Sequence, residues 1–281
     1  MRLGVLILPE ERWASLSERW IAAERMGLDH AWTYDHLTWR GHKERSWFAA
    51  VPLLAAAAGV TSRIQLGTLV ASPNFRHPVP FAKELMTLDD LSGGRFVAGL
   101  GSGGEGFDAT ALGQTAWSRR ERADRFEEFV RMLDRILSAP ATTQRGIHYA
   151  ADEARSIPGC VARPRLPFAI AASGPRALRL AAELGQAWVA VDSRPTSAAQ
   201  VRELDALCAS AGRHPADVRR LVLVGHAVRP LESVESFREV EGRYREMGFT
   251  DLVVHWPRAE DPFRGRREVL EQVAQQRGAR G

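Results

Sequence analysis

The stretch that decides the fold runs from residue 168 to residue 191 and reads FAIAASGPRALRLAAELGQAWVAV. Its two ends, Phe168–Ala172 and Ala187–Val191, are short apolar runs of the kind that form buried strands. Between them, Pro175–Leu184 has the apolar spacing of an amphipathic helix, with a proline in its first turn and Gly185 at its end. Two strands joined through a helix run parallel in one sheet, so this stretch predicts a strand–helix–strand unit.

The same alternation extends from this stretch to both ends of the chain. The predicted strands are Leu3–Leu8, His30–Tyr34, Ile64–Val70, Arg95–Leu100, Phe168–Ala172, Ala187–Val191, Leu221–Val228 and Leu252–His255. The predicted helices are Trp13–Met26, Trp47–Gly59, Pro78–Leu91, Arg119–Leu137, Pro175–Leu184, Ser197–Ala211, Val234–Met247 and Pro262–Gln275. Eight strand–helix units in 281 residues favour an α/β protein with a closed (β/α)8 TIM barrel over an open doubly wound sheet.

One segment interrupts this rhythm. Residues 139–166 are rich in proline and glycine and predict an excursion between helix 4 and strand 5. We expect it to carry one small strand around Ile147–Tyr149.

Length and composition limit the possible classes of protein. With 45% hydrophobic and 26% charged residues, the chain is neither disordered nor a coiled coil, and we expect residues 1–281 to form a single barrel domain. The net charge of +4 is small and spread along the chain, which argues against a nucleic-acid partner. The apolar run Leu3–Leu8 is too short for a signal peptide and no stretch is long enough to cross a membrane, so we expect a cytoplasmic protein with no membrane partner.

If the chain forms a barrel, its chemistry lies where strands end and the following loops begin. Asp35 and His36 follow the second predicted strand, where they could form an acid–base pair, or Asp35 could cap a turn while His36 fills a gap. After the third strand, the stretch from Ser72 to His77 either brings polar groups to the barrel mouth or caps the next helix.

Two further loops could bind an anion. Five of the eight residues 99–106 are glycine, so backbone N–H groups there could approach an oxyanion closely, or the loop could simply be flexible. Ser173 and Gly174 precede a helix, whose N-terminus favours anions, and the alternative is a small-residue helix start without a ligand. Two such loops on one rim would suit a phosphorylated cofactor. The eight histidines show no metal-site spacing, so we expect no metal.

Together, the motifs resemble the bacterial luciferase-like family of (β/α)8 flavin and deazaflavin oxidoreductases. The resemblance covers about residues 1–191 and weakens beyond. It rests on an ordered set of segments: 27–36 (GLDHAWTYDH), 61–68 (TSRIQLGT), 76–78 (RHP), 91–103 (LSGGRFVAGLGSG), 111–113 (ALG), 125–128 (RFEE) and 172–178 (ASGPRAL).

Within that family, the branch that uses coenzyme F420 is the most similar, and the FMN branch is the alternative. The resemblance implies that F420 lies against Leu69 and Val70, on a bulged strand with a non-proline cis peptide, and near the hydroxyl of Ser72. It implies further cofactor contacts from Gly101, Ser102, Gly103, Gly104, Ser173 and Gly174. If F420 is the cofactor, basic residues on the rim such as Arg76 and Arg176 could contact its phosphate and its acidic tail.

The resemblance also implies the catalytic groups. His36 corresponds to the histidine that faces the reactive ring edge, with Asp35 or Glu105 assisting. Several family members carry Gly-Thr-Gly-Glu in the fourth loop, with the glutamate as proton donor. Here the order Gly101-Ser102-Gly103-Gly104-Glu105 displaces the acid by one residue, which leaves the donor role of Glu105 open.

These expectations define three candidate functions. The first is an F420-dependent oxidoreductase that transfers a hydride between C5 of the deazaflavin and a small organic substrate. The alternative is an FMN-dependent monooxygenase that uses O2, and the third is a non-catalytic flavin- or F420-binding protein. The substrate, a small molecule or a peptide, is not identified by the sequence, and the family resemblance makes a homodimer an expectation.

Overall fold

The computed structural model describes residues 1–39, 43–193 and 198–278, and its centre is a closed barrel of parallel strands. The barrel strands, in chain order, are β1 (Arg2–Leu6), β2 (His30–Thr33), β3 (Gln65–Thr68), β4 (Phe96–Leu100), β7 (Phe168–Ala171), β8 (Ala187–Val191), β9 (Arg219–Leu223) and β10 (Asp251–His255). Each strand pairs in parallel with the next, and β1 pairs with β10 to close the ring. The predicted (β/α)8 TIM barrel is therefore confirmed.

Helices follow the barrel strands as the alternating pattern predicted. They are α1 (Trp13–Arg25), α2 (Ala50–Val60), α3 (Pro78–Leu91), α4 (Phe107–Thr110), α5 (Arg119–Ser138), α6 (Pro175–Leu184), α7 (Ala198–Ser210), α8 (Val234–Glu246) and α9 (Arg267–Gly278). Among the α-helices of the described residues, the four-residue helix α4 was the one not predicted, because one turn is too short to show a helical period. Ser197, the predicted start of the sixth helix, lies outside the described residues.

The excursion between α5 and β7 differs from the prediction. It contains an antiparallel hairpin of β5 (Ala141–Arg145) and β6 (Ala150–Arg155), and Ile147–Tyr149 is part of the connecting turn instead of a strand. Ile147 is 91% exposed, and the carboxylate of Glu128 on α5 accepts the backbone N–H groups of Ile147, His148 and Tyr149. Glu128, about 20 residues earlier in the chain, thus fixes the turn, and the local apolar pattern of residues 147–149 could not predict this contact.

Two predicted boundaries were wrong near the end of the chain. The strand predicted at Leu221–Val228 ends at Leu223, because the carboxylate of Asp192 accepts the N–H groups of residues 225–228 and turns the chain. The helix predicted at Pro262–Gln275 begins only at Arg267. Before it, the ring of Phe263 stacks on His255 with centroids 3.4 Å apart, which holds this segment over the barrel mouth.

The N-terminal end of the barrel is closed by a buried polar network. His30 is fully buried, receives the indole N–H of Trp32 at Nδ1 (2.7 Å) and contacts Asp251 through Nε2 (3.0 Å). Arg219 also pairs with Asp251, and the arginines that line the cavity of about 480 Å³ below it are paired with acids. The residues at this end therefore contribute to the stability of the barrel.

No helix among the described residues has both the length and the apolar surface that a membrane crossing requires.

Candidate active site

The opposite rim, at the carboxyl ends of the strands, brings His36 against an acid that the sequence did not single out. Nδ1 of His36 lies 2.5 Å from Oδ2 of Asp108, the second residue of α4. The other oxygen of Asp108 accepts the backbone N–H of Leu37 at 2.7 Å. The histidine side chain is 26% exposed and the aspartate 7%, so the pair sits at the edge of the mouth with the acid beneath it.

Asp35 points away from this pair. Its carboxylate receives two hydrogen bonds from Arg76, at 2.5 and 2.8 Å, and Arg76 also donates to Glu84 on α3 at 2.7 Å. Burial opposes the charge of Arg76, but Asp35 and Glu84 outweigh that effect and raise the pKa of the guanidinium. The guanidinium of Arg76 therefore pairs with protein carboxylates, whereas we expected it to contact the acidic tail of the cofactor.

The strand end next to it, after β3, forms the expected bulge. The Leu69–Val70 peptide bond is cis, as the resemblance implied, and pairing with β4 resumes at Ala71. Beyond the bulge, the side chains of Ser72 and Asn74 are buried. The hydroxyl of Ser72 and the amide oxygen of Asn74 have no hydrogen-bond partner in the structure. Two buried polar atoms thus lack a hydrogen-bond partner. Buried polar atoms usually have one, so these two are candidates to bind a ligand.

The glycine-rich loop after β4 lies directly against this bulge. A Cβ at Gly101 would come within 2.4 Å of the Val70 side chain, and a Cβ at Gly103 within 2.5 Å of the Asn74 side chain. Gly103 also has a φ of +71°, which glycine adopts most readily. Leu69, Val70, Ser72, Gly101 and Gly103 are therefore brought together, with Ser102 and Gly104 in the same loop.

The third part of this rim is the start of α6. Gly174 precedes the helix and Ser173 is exposed beside it, so the helix N-terminus opens toward the rim. Arg176 turns the other way, to Asp124 (2.5 Å) and Glu127 (2.6 Å) of α5. Arg176 could contact the cofactor as predicted only if its ion pairs with Asp124 and Glu127 were broken.

Glu105, the predicted proton donor, does not contact His36. Its side chain is 74% exposed and lies 3.3 Å from Arg122 of α5. The acid that contacts His36 is Asp108, three residues further along. The catalytic role of Glu105 stays a prediction, and so does that of Asp35.

The facing wall of the mouth is a cluster of aromatic side chains that contains two histidines, His226 and His255, which the sequence did not single out. The hydroxyl of Tyr34 lies 2.9 Å from Nε2 of His255 and 3.2 Å from Nε2 of His226. Trp39 packs between Tyr34, Trp47 and Phe263, with ring centroids 5.5 to 6.2 Å apart. These residues come from the ends of β2, β9 and β10, so only closure of the barrel unites them; their position after predicted strands was the available signal.

The protonation state of His255 follows from its contacts. Burial lowers its pKa well below the usual value, and His226 and Arg258 act in the same direction. Nδ1 lies 3.2 Å from the carbonyl of Val224, which can only accept, so the neutral ring donates there. Nε2 then accepts the Tyr34 hydroxyl. The wall is therefore aromatic and uncharged at this point.

Among the described residues, no group of three His, Cys, Asp or Glu side chains is placed to bind a metal ion. The rim contains the imidazole of His36 next to the carboxylate of Asp108, and the N-terminus of α6. It also contains a glycine-rich backbone segment beside two buried polar atoms that lack a hydrogen-bond partner. This set can bind a flat, phosphorylated ligand and handle a proton beside it.

Comparisons with known proteins agree with this arrangement. The family model described as luciferase-like monooxygenase matches residues 1–277. The chain is 35% identical, over 181 residues, to the F420-dependent glucose-6-phosphate dehydrogenase of Beutenbergia cavernae, covering 62% of this chain and 51% of that protein. It is 32% identical, over 196 residues, to the F420-dependent hydroxymycolic acid dehydrogenase of Mycobacterium tuberculosis, covering 69% and 53%.

A solved structure is similar over most of the chain. An F420-dependent secondary alcohol dehydrogenase, solved with an F420–acetone adduct, superposes with a TM-score of 0.78 at 18% identity and covers 90% of this chain and 92% of that chain. At this identity, the likeness supports the fold alone. The chain spans about half the length of the curated relatives that it matches.

Proposed function

Because the chain belongs to the luciferase-like monooxygenase family, we propose that it is an F420-dependent oxidoreductase that acts on a small organic substrate. The observation that carries the proposal is that the ends of three neighbouring strands, β2, β3 and β4, present His36, the cis Leu69–Val70 bulge and the glycine loop side by side. The names of the curated relatives, which are F420-dependent dehydrogenases, favour a deazaflavin over FMN.

The residues present fit such a cofactor. Leu69 and Val70 would lie against the ring system, while the unsatisfied hydroxyl of Ser72 and amide oxygen of Asn74 would gain polar partners. The bare backbone of Gly101–Gly104 leaves room that a side chain would fill. The N–H groups at the start of α6, near Ser173 and Gly174, would hold a phosphate. When bound, F420 supplies hydride transfer at C5 of its deazaflavin.

The side chains of the protein would handle the proton and exclude water. His36 is placed to hold or release a proton at the substrate oxygen, since its ring borders the mouth while its other nitrogen is occupied by Asp108. Asp35 would act as an anchor, because both its oxygens accept from Arg76. The wall of Tyr34, Trp39 and Phe263 would cover an apolar or aromatic part of the substrate.

Titration of F420 tests this proposal directly. We expect saturable quenching of F420 fluorescence by the purified protein, with an affinity at least tenfold tighter than for FMN. Gly103→Val should weaken binding, because its side chain would press on Asn74. Gly59→Val on α2, where a Cβ meets nothing within 4 Å, is the matched control. No saturable binding, or preference for FMN, would refute the proposal.

The description of the matching family favours one second candidate, an FMN-dependent monooxygenase. That reaction consumes O2, which a hydride-transferring deazaflavin enzyme does not require. Oxygen uptake with reduced FMN separates the two. We expect uptake no faster than that of free reduced FMN, and a faster rate that depends on the protein would favour the monooxygenase.

A further inference from the structure

The contact between Asp108 and His36 restricts where the protons of the histidine can be. An ionised carboxylate has no hydrogen and can therefore only accept hydrogen bonds. Oδ2 of the Asp108 carboxylate lies 2.5 Å from Nδ1 of His36. Nδ1 must therefore carry a hydrogen. Nε2, at the other side of the ring, is then the nitrogen that gains or loses a proton.

Asp108 is held so that this contact cannot rotate away. Its Oδ1 accepts the backbone N–H of Leu37 at 2.7 Å, the residue that directly follows His36. The carboxylate of Asp108 thus contacts both the ring of His36 and the backbone of the next residue, Leu37. The indole N–H of Trp47 adds a third restraint by donating to the carbonyl of His36 at 2.8 Å.

We propose that Asp108 is the positioning residue that fixes His36 as its Nδ1–H tautomer and presents Nε2 to the substrate. It takes the place of an acid in the glycine loop, since Glu105 faces solvent and Arg122. The tautomer assignment stands on the geometry alone, and only its use in turnover rests on the proposed function. In that reaction, Nε2 of His36 would take the proton that a substrate hydroxyl loses, and F420, when bound, would supply the acceptor for the hydride that leaves the carbon bearing that hydroxyl.

The variant Asp108→Asn reverses the hydrogen bond without changing the size of the side chain. The backbone N–H of Leu37 can only donate, so the amide oxygen must face it. The amide nitrogen then faces Nδ1 of His36 and donates to it, which moves the ring hydrogen to Nε2. The variant therefore exchanges the two nitrogens of the ring while it keeps the anchor to the backbone.

The decisive measurement is the ¹⁵N spectrum of the histidine rings in the protein alone, at a pH where the ring is neutral. The His36 signals are identified by their loss in His36→Gln. We expect the Nδ1–H pattern in the wild type and the Nε2–H pattern in Asp108→Asn. The control Asp152→Asn, on the exposed face of β6, removes the same charge and should leave the wild-type pattern.

The wild-type spectrum decides the matter even if the variant does not fold, because an Nε2–H pattern there would overturn the proposal. The same pattern in wild type and folded Asp108→Asn would overturn it too. If the spectra switch but F420 does not bind, only the proposed function fails.

Turnover gives the second readout, with oxidised F420 and 2-propanol as the probe. We expect kcat/KM to fall roughly 100-fold or more in Asp108→Asn. The affinity for F420 should change less than threefold. A loss of F420 affinity equal to the loss of kcat/KM would instead show that Asp108 only supports the structure of the cofactor site. Loss of turnover in Glu105→Gln but not in Asp108→Asn would also contradict the proposal.

Discussion

At the scale of single residues, the barrel mouth contains groups that are poorly satisfied by the protein itself. The buried hydroxyl of Ser72 and the amide oxygen of Asn74 lack partners, although buried polar atoms usually have them. In contrast, both oxygens of Asp35 accept hydrogen bonds from Arg76, which also donates to Glu84. Asp35 and Arg76 therefore stabilise the structure of the mouth, whereas Ser72 and Asn74 are available to bind a ligand.

Ser72→Ala tests this separation. Removing an unsatisfied buried hydroxyl should leave the free energy of unfolding unchanged or raise it by up to about 1 kcal/mol. The same change should weaken F420 binding about three- to tenfold, if the hydroxyl serves the cofactor. Urea unfolding and fluorescence titration measure the two effects. Ser17→Ala on α1 is the control, and a Ser72→Ala variant that loses stability but keeps its affinity would show that the hydroxyl has a structural role.

At the scale of elements, a single carboxylate often fixes the connection between a helix and a strand. Glu24 on α1 accepts the N–H groups of Ser62, Arg63 and Ile64, the residues that lead from α2 into β3. Burial opposes its ionisation, but these backbone donors outweigh that effect and lower its pKa to about 2. The carboxylate of Glu128 likewise accepts the backbone N–H groups in the turn of the β5–β6 hairpin.

Glu24→Gln should therefore change the response to acid. Since the pKa in the folded state is depressed from 4.5 to about 2, the stabilisation by Glu24 is complete above pH 4.5 and is lost as the pH falls toward 2. We expect the variant to lose roughly 1 kcal/mol at pH 7 and to depend less on pH below 4.5. Thermal or urea unfolding at several pH values measures this. Glu18→Gln, an exposed site on the same helix, should behave like the wild type.

At the scale of the whole molecule, the barrel separates a structural end from a chemical end. The buried His30–Asp251–Arg219 network lies at the N-terminal end, and the rim with His36 lies at the other. Pairing of β1 with β10 closes the ring between distant parts of the chain. We therefore propose that the chain unfolds as one domain. The homodimer also remains a proposal, which sedimentation would test.

Gly4→Ala tests how tightly the barrel interior is filled. A Cβ at this position on β1 would lie 1.8 Å from Nδ1 of His30 and 2.8 Å from its backbone oxygen, so the strands themselves would have to move. We expect a loss of about 3 kcal/mol or more in the free energy of unfolding. Gly59→Ala, on α2 with open space around it, should instead stabilise by up to about 1 kcal/mol. Equal effects of the two substitutions would contradict this interpretation.

The buried histidine predicts a second dependence on pH. Burial lowers the pKa of His30, and its neutral ring both accepts from Trp32 and donates to Asp251. Because the folded-state pKa is depressed, this stabilisation is present above pH 6.5 and is lost as the pH falls further. His30→Gln keeps one donor and one acceptor but does not titrate, so its stability should vary less between pH 7 and pH 5. A slope equal to that of the wild type would reject this source of the pH dependence.

The sequence by itself determined the barrel and the loops that form its rim. Strand and helix periods are local, so the units around Pro175–Leu184 could be recognised without tertiary contacts. The tertiary structure alone decided which acid meets His36, because Asp108 is 72 residues away and lies on a helix of a single turn. It also decided that Tyr34, His226 and His255 form one wall. The physical reason is that periodicity reports which face of an element is buried, whereas side-chain pairing across the mouth arises only when the barrel closes.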